Sequence, residues 1–303
     1  MDENLPAIIT AKALRLVSKV GVRVVLDRPS LRPSATALFY EVWRLVRGGP
    51  FEGEIGGIRM RFYDPGGTEA YFPSFFTGQA YEHSVVEHLK LLTPLFNSPT
   101  FLDVGAHYGY YSVYMAKLVG STGKVFAFEP NGDYFKVLRT NVILNGLRNV
   151  AVHRLALSDM SETVVLEASK RMRARGFPTE KRKMRTKEAE DPLEDSVTAM
   201  SFDELATQDG IFPEIVKIDV HGGEGKVIAG MKGSLRHSIS HLYCELHGEM
   251  SGGYTAKDIV GKLEDAGLEI FEFRGFRGKN GRLVALQNDL FSRPHDRMIY
   301  ARK

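Results

Sequence analysis

FLDVGAHYGYYS, at residues 101–112, gives the clearest signal of the architecture of this chain. A short apolar run ends at Val104, a loop that contains Gly105 follows, and a helix is predicted to start near Gly109. A strand that leads through a glycine loop into a helix presents backbone N–H groups and the positive end of the helix dipole at the strand tip. The segment therefore predicts a ligand site at the carboxyl end of a strand in an α/β protein.

The same alternation of strand and helix continues toward the C-terminus. Strand-like apolar runs occur at 124–129, 150–155, 215–220 and 240–246, with helical stretches at about 132–145, 202–208 and 224–232. Short apolar strands that alternate with helices indicate a parallel sheet covered on both faces. After a helix at 255–266, strands near 268–274 and 296–302 are predicted to close the sheet in an antiparallel, hairpin-like arrangement.

The N-terminal part of the chain lacks this pattern. We predict that residues 1–80 form an extension of helices and a strand (54–63), and that residues 81–303 form the main domain, with a basic insertion at about 167–195. The predicted helix at 7–26 carries a stripe of basic residues. Such a stripe suits peripheral contact with a membrane or a partner, but it is also the ordinary outer face of a packed helix, which we favour.

The composition is that of an ordinary globular protein. The 303 residues include 40 Lys and Arg against 37 Asp and Glu, a net charge of +3, so a surface that binds polyanions throughout is not implied. The single cysteine, Cys244, excludes an intrachain disulfide and a cysteine-rich metal site, and it favours a reducing, cytoplasmic setting. We expect no secretory signal and no transmembrane segment, since acids lie near the N-terminus and no long uncharged apolar run occurs.

The carboxylate of Asp103 distinguishes between possible cofactors. It heads the pattern Asp103-x-Gly105-x-x-x-Gly109, which differs by one residue from the dinucleotide pattern G-x-G-x-x-G. A carboxylate at this place would repel a pyrophosphate and attract an ammonium or a sulfonium group. S-adenosyl-L-methionine carries both cations and a carboxylate that the loop amides can bind. The pattern therefore favours this cofactor over NAD.

Glu129 supplies a second acid at the tip of the next strand. It follows Gly109 by 20 residues, the offset at which an acid meets ribose hydroxyls in nucleotide-binding folds. Asn131, two residues later, is predicted to cap the following helix. The predicted cofactor contacts along these two strand tips are Asp103, Gly105, Ala106, His107, Gly109, Glu129, Pro130 and Asn131.

These motifs resemble those of the FkbM-type S-adenosylmethionine-dependent methyltransferases, which are mostly O-methyltransferases of natural products and sugars. The resemblance covers roughly residues 78–302, on Tyr81-Glu82, FLDVGAHYGYYS, FAFEPN (126–131), ALSD (156–159) and VKIDVHGGEGKVIAGM (216–231). It implies a Rossmann-like class I methyltransferase fold, with a seven-stranded, mostly parallel sheet and an antiparallel last strand. It also implies that Glu82, Ala156, Leu157 and Asp159 lie around the cofactor, with the loop glycines and the two acids.

The chain departs from the family pattern at two positions. His107 lies in the glycine loop where the family usually has Asn, and His221 follows the fourth strand where the family usually has Glu. These differences concern the acceptor and the catalytic groups more than the cofactor.

A second group of polar residues follows the strands at 215–220 and 240–246. Alternate residues of a strand share a face, so Asp219 and His221 are predicted to point one way, as are Glu245 and His247. If the two strands are neighbours, these four side chains converge beyond the carboxyl ends of the sheet, where open α/β folds bind ligands. The sequence thus predicts an acceptor site next to the cofactor site.

Three roles are open for this group. Methyl transfer to oxygen needs a base for the hydroxyl proton; His221 is the first candidate, His247 the second, and Asp219 is expected to orient substrate or base. Alternatively, Asp219, His221, Glu245 and His247 hold Mn, Fe or Zn, which lowers the pKa of a bound hydroxyl. A third possibility is purely structural, with Lys217 neutralising Glu245 beneath the site.

The sequence as a whole favours an O-methyltransferase that acts on a hydroxyl of a small molecule or a sugar. One alternative is an RNA methyltransferase that uses residues 170–187, where nine Lys or Arg accompany a single Glu. Phe177 is the only aromatic residue in that run, so a stacking platform for bases is missing and nucleic acid is the less favoured partner. The other alternative is a non-catalytic interaction protein that retains a cofactor pocket and docks through residues 7–26.

Overall fold

The computed structural model describes residues 50–65, 71, 74–75, 78–166, 184–186, 195–247, 253–287 and 297–303. The chain divides into two compact units, Met1–Tyr81 and Glu82–Lys303. The predicted helix at 7–26 and most of the basic run at 170–187 lie outside the described residues. Within the described ranges, every helix is too short or too polar to cross a lipid bilayer.

The described part of the first unit is a β-hairpin. Strands β1 (Phe51–Ile55) and β2 (Ile58–Phe62) pair antiparallel, so the prediction of one strand over 54–63 is wrong. Gly56 and Gly57 have φ values of 54° and 84°, the left-handed conformations that a two-residue hairpin turn requires. The alternating pattern that suggested one strand therefore spans the turn.

Among the residues that the structure describes, the second unit contains the remaining strands and seven α-helices. The strands are β3 (Thr100–Val104), β4 (Lys124–Phe128), β5 (Val150–His153), β6 (Ala156–Ser158), β7 (Glu162–Leu166), β8 (Met184–Thr186), β9 (Asp195–Ser201), β10 (Ile215–Ile218), β11 (His241–Leu246), β12 (Glu269–Arg274), β13 (Arg282–Ala285) and β14 (Arg297–Arg302). The helices are α1 (His83–Leu92), α2 (Tyr110–Leu118), α3 (Gly132–Leu144), α4 (Phe202–Asp209), α5 (Glu224–Ala229), α6 (Lys232–His237) and α7 (Ala256–Asp265).

The large sheet has the order β13-β12-β14-β11-β10-β3-β4-β5. Neighbours from β11 to β5 pair in parallel, and β14 runs antiparallel to both β11 and β12. The predicted seven-stranded sheet with an antiparallel last strand is thereby confirmed, and β13 adds an eighth strand at the edge. The carboxyl ends of β3, β4, β10 and β11 lie side by side, which brings the two predicted groups of polar residues to one border.

A smaller sheet, β6-β9-β7-β8, was not predicted. The apolar run at 150–155 reads as one strand in the sequence, but after His153 the chain leaves the large sheet and β6 pairs with β9 instead. The predicted helix at 224–232 is also divided. Gly230 separates α5 from α6, and a side chain there would clash with the carbonyl oxygen of Ser158.

The two faces of the large sheet differ in chemistry. One face is apolar: Leu102, Val216 and Leu242 belong to a single buried core cluster with residues of helices α4 to α7. On the other face, Asp103 of β3 lies in register with Lys217 of β10, both of them buried. The second face therefore carries buried charge into the interior, immediately below the border where the loops begin.

Candidate active site

The glycine loop is held by its backbone. Gly105 has a φ of 84°, and a side chain on it would clash with the carbonyl oxygen of Asp219. The amides of Gly105 and Ala106 both donate to the carbonyl oxygen of Phe128, at 3.0 Å each. The loop thus crosses the tips of β4 and β10 so closely that only glycine fits at its first position.

Glu129 fastens the glycine loop to the start of helix α3. Its Oε2 accepts from the amide of His107 at 2.8 Å, and its Oε1 accepts from the amide of Asn131 at 2.8 Å. The side chain of Asn131 in turn accepts from the amides of the first turn of α3, which confirms it as the predicted cap. The acid predicted to meet ribose hydroxyls is thus buried and fixed by two backbone donors.

Asp103 lies below the loop, with 3% of its surface exposed. The hydroxyl of Ser112 donates to its Oδ2 at 2.5 Å. Burial raises the pKa of Asp103 to about 6, although Ser112 and the charge of Lys217 act in the opposite direction. A nearby cation would therefore strongly stabilise the ionised form of this buried carboxylate.

His107 is packed among rings rather than pointing freely toward a ligand. Its ring stacks on Tyr108 with centroids 4.0 Å apart and meets the edge of Tyr134 at 4.3 Å. Burial lowers the pKa of His107 to about 3, so the ring is neutral at physiological pH. Its backbone, with a φ of 51°, supplies the amide that binds Glu129.

The other predicted cofactor residues lie around this loop or on β6. Gly109 caps α2 with a φ of 84°, and Pro130 is partly buried between Glu129 and Asn131. Ala156 and Leu157 are buried in β6. Asp159, which follows β6, accepts hydrogen bonds from Ser158 and Tyr254, both at 3.2 Å. A direct role of these residues in binding a cofactor stays a prediction.

Lys217 lies at the centre of the second group. Its ammonium group donates to Asp219 Oδ2 at 3.0 Å, lies 3.8 Å from Glu82 Oε2 and sits 4.7 Å from the ring centre of Tyr111. Only 4% of the side chain is exposed. Burial alone would lower the pKa of Lys217, but the surrounding carboxylates, Asp219 foremost, raise it above its usual range. The lysine is therefore a permanent buried cation.

The carboxylate of Glu82 lies near Lys217 and Asp219, in the second group of polar residues. It precedes helix α1 in a left-handed conformation, is 1% exposed and accepts from the hydroxyl of Tyr111 at 2.7 Å. One carboxylate oxygen from each of Glu82, Asp219 and Glu245 lies within 4.8 Å of the others. The resemblance placed Glu82 at the cofactor, and the structure places its carboxylate where the two predicted groups meet.

The two histidines face Asp219 from the ends of β10 and β11, which are neighbours as expected. Asp219 Oδ1 lies 3.8 Å from His247 Nε2 and 4.0 Å from His221 Nε2, and the two rings are 4.4 Å apart between centroids. Burial raises the pKa of Asp219 by itself, but Lys217 and then the histidines lower it below its usual range. Asp219 is thus ionised, and the predicted meeting of Asp219, His221 and His247 is present in the structure.

The histidines differ in their surroundings. The side chain of His221 is half exposed, and burial of the rest of it lowers its pKa. His247 is 12% exposed, and its Nδ1 donates to Glu224 Oε1 at 2.7 Å. Burial alone would lower the pKa of His247, but the hydrogen bond and charge of Glu224 raise it. Near neutral pH, His221 is therefore mainly neutral and free to accept a proton, whereas His247 holds a proton more readily.

The structure corrects the predicted partner of Glu245. Arg277 donates to Glu245 Oε1 at 2.5 Å, whereas the hydrogen bond of Lys217 goes to Asp219. Burial raises the pKa of Glu245 to about 8 despite the charges of Lys217 and Arg277. Arg277, which lies between β12 and β13, had no signal in the sequence because nothing in its loop is periodic or motif-like.

The chain is similar to known methyltransferases in sequence. Residues 103–270, more than half of the chain, match the family model described as the methyltransferase FkbM domain. The hexuronic acid methyltransferase AglP of Haloferax volcanii is 30% identical over 167 residues, which are 55% of this chain and 62% of that relative. The matched region thus spans less than two thirds of the curated relative.

Solved methyltransferase structures show a distant likeness. The FkbM methyltransferase of Methylobacillus flagellatus is 14% identical with a TM-score of 0.44, and the match covers 79% of this chain and 56% of that one. A putative O-methyltransferase from Klebsiella pneumoniae is 14% identical with a TM-score of 0.39, and the match covers 72% of this chain and 79% of the other.

Proposed function

Because the chain belongs to the FkbM methyltransferase family, we propose that it transfers the methyl group of S-adenosyl-L-methionine to a hydroxyl of a sugar or another small molecule. The observation that carries the proposal is the pair of buried carboxylates, Asp103 and Glu129, at consecutive strand tips on either side of the glycine loop. When bound, S-adenosyl-L-methionine supplies a methyl group activated on a sulfonium and leaves as S-adenosylhomocysteine.

The residues fit this cofactor in charge. Asp103, buried and raised in pKa, is the group that would gain most from the ammonium of the methionine part. Glu129 is held rigidly by two backbone amides, and carboxylate oxygens accept more than one hydrogen bond each, so it remains able to bind ribose hydroxyls. The start of α2 after Gly109 presents backbone donors for the carboxylate of the cofactor.

A sugar is the acceptor class that we favour. AglP, with 30% identity over the matched region, is named for its action on a hexuronic acid. Asp219, the histidines and the charged residues around them line the neighbouring strand ends with hydrogen-bonding groups, which suits a polyhydroxylated acceptor better than an apolar one.

The chain's own residues would perform the proton transfer. The attacking hydroxyl must lose its proton as the new bond from oxygen to methyl forms. In the metal-free protein, His221 is best placed to take this proton, because its ring is half exposed and its lowered pKa leaves it in the neutral form near pH 7. Asp219, ionised by its contact with Lys217, then stabilises the imidazolium or orients the hydroxyl.

Titration calorimetry with S-adenosyl-L-methionine tests the cofactor pocket. Asp103→Ala and Glu129→Ala should each weaken binding by on the order of 10- to 100-fold, the loss of a charge-assisted hydrogen bond. Asp133→Ala is the matched control, since that carboxylate is at the start of α3 but points to solvent beside Lys136. Near-wild-type binding by both site variants would refute the pocket.

Mass spectrometry tests the reaction itself. Hexuronic acids, neutral sugars and simple alcohols are incubated with cofactor and enzyme, and a mass increase of one methylene identifies the acceptor. His221→Ala should lower turnover strongly while leaving cofactor affinity unchanged. Cofactor binding without methylation of any acceptor would favour a non-catalytic role.

A further inference from the structure

We infer that Asp219, His221 and His247 form a binding site for a divalent transition-metal cation at the carboxyl ends of β10 and β11. One donor atom from each residue lies within 4.8 Å of the others. Asp219 Oδ1 is 3.8 Å from His247 Nε2 and 4.0 Å from His221 Nε2. Two ligands that bind one zinc ion at about 2.0–2.2 Å each are at most about 4.4 Å apart, so both separations already lie within that span.

The two oxygens of Asp219 have different surroundings. Oδ2 accepts from Lys217, which orients the carboxylate and balances one charge. Oδ1 is buried, yet among the residues that the structure describes it accepts no hydrogen bond. A buried acceptor without a hydrogen-bond partner lowers the stability of the fold by about 1–3 kcal/mol, and such acceptors are rare in native proteins. A cation held between Oδ1 and the two imidazoles would satisfy it.

Glu224 orients His247 as a metal ligand. A carboxylate accepts hydrogen bonds, so Nδ1 of His247 carries the hydrogen of the 2.7 Å contact, and Nε2 faces Asp219. Glu224 is itself fully buried and also accepts from the amide of Gly222 at 2.9 Å. A carboxylate behind a histidine in this way recurs at metal sites, where it fixes the ring and increases the basicity of the ligand.

His221 is held in an unfavourable backbone conformation. Its φ of 53° is left-handed, which for a residue with a side chain costs of order 1 kcal/mol and persists only where the surroundings enforce it. The conformation turns the ring toward Asp219 and His247 while leaving half of the side chain exposed. The outer side of the site is therefore open to a further ligand.

The charge around the three ligands favours a dication. Five buried or nearly buried carboxyl groups lie in or beside the site, and among the described residues they contact only two permanently charged side chains, Lys217 and Arg277. The five are Glu82, Asp103, Asp219, Glu224 and Glu245. Burial and the neighbouring acids raise the pKa of Glu245 to about 8, so a cation here would favour the ionised form of this group. Two imidazoles and one carboxylate are the ligand types of Zn, Mn or Fe rather than Mg or Ca.

The use of this cation rests on the proposed function. An acceptor hydroxyl in the open position would have its pKa lowered by the cation and would lose its proton to water. The oxygen then bonds to the methyl carbon while the carbon–sulfur bond breaks, releasing S-adenosylhomocysteine. Metal binding occupies the lone pair of His221 Nε2, so in the metal-loaded protein His221 holds the cation and is not the base.

Metal titration of the full-length protein tests the site without any assay of activity. The chain is depleted with a chelator and titrated with Zn²⁺ and Mn²⁺ by calorimetry, and Co²⁺ absorption reports the coordination. We expect one ion per chain, with the affinity reduced by about 10- to 100-fold or more in His221→Ala and in His247→Ala. His237→Ala, an exposed histidine at the end of α6, is the matched control and should bind as the wild type does.

Glu224→Gln keeps the inference testable if His247→Ala fails to fold, because it retains the volume and should weaken binding by about 10-fold. Absence of saturable binding in the wild type, or equal binding by the wild type and the two histidine variants, would overturn the metal site. S-adenosyl-L-methionine binding is measured on the same depleted protein. Cofactor binding without metal binding refutes this inference alone, whereas loss of cofactor binding bears on the proposed function.

Discussion

The border of the large sheet has two halves that are built differently. In the glycine-loop half, at the tips of β3 and β4, both oxygens of Glu129 accept from backbone amides, those of His107 and Asn131. In the histidine half, at the tips of β10 and β11, Asp219 and Glu245 depend on side chains, Lys217 and Arg277. The first half is fixed by hydrogen bonds to the backbone and the second by charged side chains. Different substitutions should therefore damage the two halves.

Gly105→Ala should have the largest effect on cofactor binding, and it changes the half that is fixed by the backbone. The added methyl group would clash with the carbonyl oxygen of Asp219, and the φ of 84° already disfavours any side chain. We expect loss of measurable cofactor binding in calorimetry and a decrease in the free energy of unfolding on the order of 3 kcal/mol.

Gly120→Ala is the control for that experiment. Its φ of 69° is similarly left-handed, but an added methyl group meets no atom of the described chain within 4 Å. It should cost only about 1–2 kcal/mol, the conformational penalty, and leave cofactor affinity intact. If the two alanine variants behaved alike in urea and in calorimetry, the close approach of the loop to β10 would not be what fixes this half.

Lys217→Met should have the next largest effect, and it changes the histidine half. Removing the ammonium leaves the buried carboxylates of Asp219 and Glu82 without their cation, which should cost about 3–5 kcal/mol of unfolding free energy. Urea denaturation measures it. Adding Glu82→Gln to the same chain should recover part of the loss, because one of the uncompensated charges is removed. A cost under about 1 kcal/mol for Lys217→Met, or no recovery in the double variant, would contradict the role of charge.

The same division explains what could be predicted from the sequence. The alternation of strands and helices, the glycine loop, the positions of Asp103 and Glu129 near strand ends and the cap at Asn131 were predictable, because each depends on residues within one strand–loop–helix unit. The meeting of Asp219 with His221 and His247 was predictable in part. It needed only the two-residue period of a strand and the assumption that β10 and β11 are adjacent.

The partners that come from distant segments could not be predicted. Tyr111 donates to Glu82 across a separation of 29 residues, and Arg277 reaches Glu245 across 32. Nothing in the local pattern of either residue marks such a contact. The departure of β6 from the large sheet was missed for the same reason, since its partner β9 lies beyond the insertion. Which charged groups pair, and which sheet a strand joins, depends on the assembled fold rather than on the periodicity of the sequence.

The smallest expected effect is on the pH dependence of cofactor affinity. The pKa of Asp103 is raised to about 6 by burial, from an ordinary value of 3.8, and Ser112 opposes that rise. The ammonium of the cofactor needs the ionised carboxylate, so affinity should be constant above pH 6 and fall by up to about tenfold per pH unit below it.

Ser112→Ala removes a hydrogen bond that favours the ionised form, so the pH at which affinity begins to fall should move upward, by up to about one unit. Ser161→Ala is the matched control, because that hydroxyl also donates to a carboxylate, Glu204, but at the surface. It should leave the profile unchanged. Calorimetry of S-adenosyl-L-methionine from pH 5 to 8 measures both variants. An unmoved or lowered midpoint in Ser112→Ala would show that a group other than Asp103 meets the cation of the cofactor.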